Sequence, residues 1–426
     1  MNTNVTNGRM TRIMNYIEAS FVDTIHFLIA ILVRVTALPL LSLSLSSSTV
    51  SGWLWGKAAR KASVGWGVFF AALSFSALDL ALLKSLPVLG LSYGPPRMTF
   101  IVMLVTRSAV TITLALSFAL AAAWRRWRKG RVNPGQAVAP YLNLFFGVHL
   151  FLSLCAVDGF LIEPFSIQVT RHEFSFDRLS AEGLPLRIVH LSDPHVERTT
   201  KRERKLVPLV DELQPDLILL TGDYLNLSYI GDETAQRDFR ALASQLHTPY
   251  GVYAVRGSVD SPALTEQLFA GLDIVVLENE SVRLDIKGQE IYLVGVACSH
   301  DLAVDIPRLD QALRGVPPDS FKILLYHSPD LIEAASERGI DLYLAGHTHG
   351  GQIRLPLYGA IATSSIYHKE YEAGLFQVGQ TNLYVSRGLG LEGAQAPRAR
   401  FLCRPEVVVH TLWGQGSAGC NHYIIR

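Results

Sequence analysis

Four long apolar runs crowd the first 165 residues, and they constrain this chain more than any other feature. They are residues 25–45 (IHFLIAILVRVTALPLLSLSL), 62–83, 98–124 and 141–162. About 20 apolar residues suffice to cross a bilayer as a helix. The first run is too long for a cleaved leader and is followed by further runs, not by a cleavage site and a soluble domain. The sequence therefore predicts an α-helical transmembrane bundle of about four helices over residues 1–164, followed by a soluble domain over 165–426. The chain as a whole is 49% hydrophobic and only 18% charged.

Basic residues give the bundle a direction. Lys57, Arg60 and Lys61 lie between the first two runs, and Arg125, Arg126, Arg128, Lys129 and Arg131 between the last two. The middle connection holds only Lys84 and Arg97. The positive-inside rule makes the two basic loops cytoplasmic. Four spans then put both termini outside, with the soluble domain on the periplasmic or extracellular side. Arg34, Asp79, Arg107 and Asp158 fall within or near the ends of the runs. They read as structural ion pairs or interfacial residues in preference to a site for a head group or an ion.

The net charge of +1 supplies no general basic surface for a phosphate backbone, so nucleic acid is not an expected partner. The four cysteines, Cys155, Cys298, Cys403 and Cys420, show no metal-knuckle spacing. In an oxidising compartment Cys403 and Cys420 are candidates to pair.

From about residue 185 the pattern changes to short β-branched runs alternating with amphipathic helical stretches, ending in a strand-rich segment. This order predicts an α/β sandwich whose ligands gather at strand ends. The polar groups fall there: Asp193-Pro194-His195 after LRIVHLS, Gly222-Asp223 after PDLILLT, Gly257-Ser258-Val259-Asp260 after GVYAVR, His327 after FKILLY, and Gly346-His347-Thr348-His349 after IDLYLA. Carboxylates and neutral imidazoles together suit Mn²⁺, Fe²⁺ or Zn²⁺. His190, His300, His368, His410 and His422 read as ordinary core or surface histidines. Arg198, Lys201, Arg202 and Arg204 either meet an anionic head group or solvate a helix face. Arg387 lies near the site or braces the C-terminal strands.

The ordered set LSDPH, TGDY, RGSVD, YHSP and GHTHGGQ, with the later YVSRGLG and CRPEVVVHTL, resembles the calcineurin-like metallophosphoesterases, and most closely their membrane-anchored bacterial branch. The resemblance covers about residues 185–413. It implies a four-layer α/β/β/α sandwich with two divalent metal ions at the strand ends. Asp193, His195 and His349 would hold one ion, His327 and His347 the second, and Asp223 would bridge, with Ser258 as a further ligand. Asp223 and His347 are the positions on which catalysis would depend. A metal-bridging hydroxide would hydrolyse a phosphate ester or pyrophosphate on an envelope or lipid-linked substrate at the inner or plasma membrane. The alternatives are a weak or inactive metal-binding regulatory module, and a lipid A pathway pyrophosphohydrolase on the cytoplasmic face.

The pattern departs from that family at one place. An asparagine and a histidine usually follow the glycine where this chain has Ser258 and Val259. A hydroxyl is a poorer ligand than an amide oxygen, so the second ion should bind more weakly. Valine cannot protonate a leaving group, help typically worth about 10²–10⁴-fold. The substitution therefore predicts a bias toward leaving groups that are already stable as anions.

Overall fold

The computed structural model describes residues 37–94, 97–129, 134–394 and 396–415. The chain divides into two compact units: residues 1–85 with 95–156, and residues 86–94 with 157–426.

Helices α1 (Ala37–Ala59), α2 (Ala62–Val88), α3 (Arg97–Lys129) and α4 (Pro134–Val157) make up the first unit, with the end of α2 belonging to the second. Three helical stretches are long and apolar enough to cross a membrane: Ala62–Val88, Arg97–Arg128 and Val138–Phe165. They match the last three predicted spans. For the first, residues 25–36, Arg34 among them, lie outside the described residues, and α1 runs on to Ala59, well beyond residue 45. Glycines let α1 and α2 touch: a Cβ on Gly52 would lie 2.8 Å from the carbonyl oxygen of Gly65. Such close backbone approach is the usual way apolar helices pack without water to drive them. Trp55 is buried and stacks on Phe118, with ring centroids 4.6 Å apart.

The buried charges of this unit are paired, as the sequence suggests. Arg107 holds Asp79 through two bonds of 2.5 and 2.7 Å, and also donates to the carbonyl of His149 and the hydroxyl of Ser153. Every face of the guanidinium is satisfied, which is what a charge at this depth requires.

Besides a two-stranded pair, β10 (Arg354–Leu355) and β11 (Gly359–Ala360), the second unit is built on two six-stranded sheets. One has the order β1 (Gln168–Phe176), β14 (Glu406–Gly414), β2 (Leu186–Leu191), β3 (Leu217–Leu220), β4 (Val252–Ala254) and β5 (Val275–Val276). The other runs β12 (Gly374–Val378), β13 (Thr381–Val385), β9 (Leu342–Ala345), β8 (Phe321–Leu325), β7 (Gln289–Gly295) and β6 (Glu280–Ile286). Within the first sheet β2 to β5 are parallel, and so are β7, β8, β9 and β13 in the second. Their carboxyl ends therefore face common edges. Leu217, Leu219, Ile323, Leu325, Leu342 and Leu344 meet in a core between the sheets. On the outside, α5 (Lys201–Leu213), α6 (Glu233–Ala243) and α7 (Pro262–Phe269) cover the first sheet, while α8 (Leu302–Ala312) and α9 (Ile332–Glu337) cover the second. Strands buried on both faces read as unbroken apolar runs such as LILL, not as alternation. The result is the four-layer α/β/β/α sandwich expected.

Two elements carry no clear signal in the sequence. β1 (QVTRHEFSF) mixes charge into its alternation and is recognisable only by its parallel pairing with β14. α8 contains Pro307 and three acidic positions with its cap, Asp301, Asp305 and Asp310, and reads as a turn until Leu309 and Ala312 are seen in the core.

Residues 86–94, the connection between α2 and α3, pack within the second unit. The Glu197 carboxylate accepts from the Tyr93 amide at 2.9 Å and from the buried Arg398 guanidinium at 2.7 Å. The Tyr229 hydroxyl donates to the Tyr93 carbonyl.

Candidate metal centre

The turns that follow β2, β3 and β9 are backbone-strained. Asp193, His195, Asp223, His347 and His349 all have positive φ, between 40° and 68°. That region is uncommon for residues with a Cβ and costs on the order of 1–2 kcal/mol each. Five of the six donors expected from the sequence adopt it; His327 does not. Strain of this kind collects where a site dictates side-chain direction over backbone comfort.

Close approach of backbones is the second device. Gly346 passes so near the β2 turn that a Cβ there would lie 1.9 Å from Ser192 Oγ and 2.2 Å from Asp193 Oδ2. Gly222 and Gly257 are pressed together in the same way, which sets Asp223 beside the turn carrying Ser258.

These turns bring together all six donors. Asp193, His195 and His349 place one donor atom each within 4.8 Å of one another, and so do Asp223, His327 and His347. His195 Nε2 and His349 Nε2 are 3.0 Å apart. His327 Nε2 is 3.2 Å from Asp223 Oδ2 and 3.9 Å from Asp193 Oδ1, so the two groups adjoin. Asp193, His195, Asp223, His327 and His349 are almost completely buried, and His347 is 9% exposed.

The rings are oriented from behind. His327 Nδ1 faces the Thr221 carbonyl at 2.7 Å and His347 Nε2 faces the Ser364 carbonyl at 3.1 Å. A carbonyl only accepts, so these nitrogens carry the protons in the neutral tautomer and the other nitrogen of each ring is a lone-pair donor. His347 Nδ1 is buried and finds no hydrogen-bond partner among the described residues, and His327 Nε2 is buried facing the Asp223 carboxylate at 3.2 Å. Buried unpaired acceptors beside carboxylates are the donor set a divalent cation satisfies.

Electrostatics agree. Burial alone would raise Asp223, but His327, His195 and His347 outweigh it and hold the carboxyl well below its usual range. Burial opposes a charge on His327, yet Asp223 and Asp193 draw one onto it and raise it well above the usual imidazole range. The site thus calls for positive charge beside two carboxylates, which a cation would supply in place of that proton. Burial and the neighbouring His327 lower His347 to about 3, keeping it neutral.

Ser258, which the resemblance implies as a further ligand, sits beside Asp223. Its exposed hydroxyl donates to both oxygens of Asp223, at 3.1 and 3.0 Å, and the Val259 amide donates to Asp223 Oδ1 at 3.0 Å. Asp260 closes the turn: its carboxylate accepts from the amides of Asp223, Tyr224 and Gly257 at 2.7, 3.2 and 2.8 Å. Burial and then the Asp223 charge raise its carboxyl to about 6.

Other expectations resolve. Arg198 pairs with Asp232 and Arg202 with Glu203, so they serve the fold. Lys201 covers Phe165, and Arg204 donates to the Thr199 carbonyl. Arg387 pairs with Glu406 at 2.6 Å and braces the start of β14. His190 is a core residue, its Nε2 2.8 Å from Thr221 Oγ1. Cys403 is buried and its thiol donates to the His349 carbonyl, whereas Cys420 and His422 lie outside the described residues. His300 is exposed, as read from the sequence, and its ring also lies 4.5 Å from that of His347, about the spacing of the His195–His349 and His327–His347 pairs. Its position just past β7 was the available signal. Glu392 is a further acid at the site, 3.6 Å from His349 Nε2, and nothing local in the sequence points to it.

Residues 186–351 match the family model described as calcineurin-like phosphoesterase. The chain is also 33% identical over 285 residues to the uncharacterized metallophosphoesterase YkuE of Bacillus subtilis, a match spanning 64% of this chain and 96% of that protein. The chain belongs to the calcineurin-like metallophosphoesterases. Two other metallophosphoesterase relatives carry more specific names. Phosphodiesterase YaeI of Escherichia coli is 32% identical over 259 residues, covering 59% of this chain and 90% of its own. UDP-2,3-diacylglucosamine pyrophosphatase LpxG of Chlamydia trachomatis is 26% identical over 300 residues, covering 58% and 89%. This metallophosphoesterase is accordingly a metal-dependent hydrolase of phosphate esters, with three helical stretches at its N-terminal side long and apolar enough to cross a membrane.

Proposed function

We propose that this chain is a membrane-anchored phosphoesterase with two divalent ions, one held by Asp193, His195 and His349, the other by His327 and His347, and both by Asp223. The observation that carries this reading is the convergence of two carboxylates and four imidazoles, five of the six on strained backbone. Two such ions clamp phosphoryl oxygens and lower the pKa of bound water. The chain's own residues set the geometry: Ser258 and the Val259 amide fix the rotation of Asp223, and the Thr221 and Ser364 carbonyls fix the rings. Val259 offers no proton, so the leaving group is one stable as an anion. A pyrophosphate or an aryl phosphate satisfies that, as the phosphate ester of an alkyl alcohol does not.

The domain faces the outside, and the substrate is an envelope or lipid-linked phosphate. Support comes from the basic residues of the loops: Lys57, Arg60 and Lys61 in one and Arg125, Arg126, Arg128, Lys129 and Arg131 in the other favour a cytoplasmic position for both. The name of LpxG favours a second reading, a lipid pyrophosphatase working on the cytoplasmic face. A reporter fused after Arg426 separates them, since activity only of a cytoplasmic reporter would overturn the outward placement. Enzyme is separated from regulatory module by assaying the full-length protein in detergent with Mn²⁺ on bis-p-nitrophenyl phosphate and a lipid pyrophosphate, beside Asp223→Asn and His347→Ala. Hydrolysis lost in both variants is expected; equal inertness of all three proteins would establish a non-catalytic module.

A further inference from the structure

The bundle contains a second candidate binding site, unrelated to the metal centre. A groove of about 600 Å³ runs between α1 and α2. Its walls are Trp53, Trp66 and Phe69, and one end is rimmed by Lys57, Arg60 and Lys61. The volume falls within the roughly 300–1,000 Å³ of small-molecule sites. The cations are fixed by a tight turn. Arg60 has φ 57°, and the Lys61 amide donates to the Gly56 carbonyl at 3.1 Å, so α2 starts immediately.

Among the described residues no carboxylate answers their charge. No Asp or Glu occurs from Thr24 to Leu78, and Asp79 is consumed by Arg107. Among the described residues none of the three cations is paired with a carboxylate; Lys57 instead lies over the Trp53 ring at 4.3 Å. An apolar trough ending in uncompensated positive charge at the end of a membrane span is complementary to an amphiphile with an anionic head.

We propose that this groove binds one anionic glycerophospholipid, its acyl chain along Trp53, Trp66 and Phe69 and its phosphate on Lys57, Arg60 and Lys61. Glycines shape the trough in two ways. Gly52 and Gly65 are locked against each other, whereas a Cβ on Gly56 would meet its nearest atoms at 3.6–3.9 Å, ordinary contact. Gly56→Leu therefore fills the groove without prising the helices apart, and a Lys57→Gln, Arg60→Gln, Lys61→Gln triple variant removes the head-group site.

The test uses the full-length protein, native mass spectrometry of retained lipid, and titration with phosphatidylglycerol or phosphatidylcholine in detergent. Each basic residue near an anionic lipid is worth about fivefold in affinity. Wild type should prefer phosphatidylglycerol by roughly 100-fold, and the triple variant should bind both lipids alike. Gly56→Leu should retain neither while melting like wild type. Equal retention of the two lipids by wild type would overturn the proposal. So would an unchanged preference in the triple variant, or cross-linking that places a second copy or residues 1–36 in the groove. If Gly56→Leu fails to fold, the triple variant decides alone.

Discussion

Replacing Gly346 by alanine tests the metal centre without touching a donor. The new methyl would stand 2.2 Å from Asp193 Oδ2 and 1.9 Å from Ser192 Oγ, where ordinary contact begins near 3.4 Å. The carboxylate must therefore retreat by about 1.2 Å. Retreat weakens what fixes Asp193, the Ser192 hydroxyl at 2.5 Å and the His347 amide at 3.1 and 3.2 Å. A misplacement of about 1 Å at a reacting centre costs on the order of 10²-fold. Overpacking of about 1–3 kcal/mol adds to the weakened charge-assisted bonds, for roughly 3 kcal/mol of lost stability. Gly231→Ala is the control, because nothing lies within 4 Å of its added Cβ. The assay is metal content by mass spectrometry beside kcat/KM on bis-p-nitrophenyl phosphate. Gly346→Ala should lose about one ion per chain and at least 100-fold in rate, with Gly231→Ala unchanged. A Gly346→Ala protein with full metal and a rate within threefold of wild type would refute the reasoning.

Ser258→Asn with Val259→His should tighten the more weakly held ion and speed alkyl phosphates by about 10²–10⁴-fold, with little effect on aryl esters; equal gains on both substrates would contradict the leaving-group argument. Asp260→Asn puts an amide N–H among three backbone donors, and should cost about 1–3 kcal/mol in chemical denaturation and lower metal affinity. Burial lowers His190 to about 3 and His410 well below the usual imidazole range, so both fold as neutral rings. Their stabilising contribution is complete above about pH 6.5 and lost as pH falls below it, at roughly 1.4 kcal/mol per pH unit each. His410→Phe should remove its share of that slope between pH 6.5 and 5, measured against wild type in the same metal buffer, and an identical slope would exclude His410 as a contributor.

The donors were legible because each follows an apolar run and shares a turn with a glycine or proline, a pattern that chance rarely repeats at four strand ends. What was lost depends on contacts between distant parts of the chain. His300 looks like any polar residue after a strand until the second sheet sets it on His347. Glu392 reaches His349 across more than forty residues. The basic cluster after His195 gave no local hint that Asp232 and Glu203 would neutralise two of its members. The extent of α1 beyond residue 45 was hidden because serines in LSLSLSSST lowered apparent hydropathy, whereas Ser44, Ser47, Ser48 and Ser51 are buried. Helix α8 was masked by its own acids, although Asp305 is buried and bonded to Ser299 and the Tyr326 hydroxyl.

The three amides gathered by Asp260 have a consequence for substitution. They belong to two different turns, and they hold the Gly257 turn against Asp223 through backbone atoms, in addition to the bond from the Ser258 hydroxyl. Ser258 is exposed and Val259 half-buried, on a loop whose backbone is held by Asp260. Substitution at these two positions changes what lies beside Asp223 while the backbone bonds of Asp260 persist, so reactivity can change there at little cost in foldability.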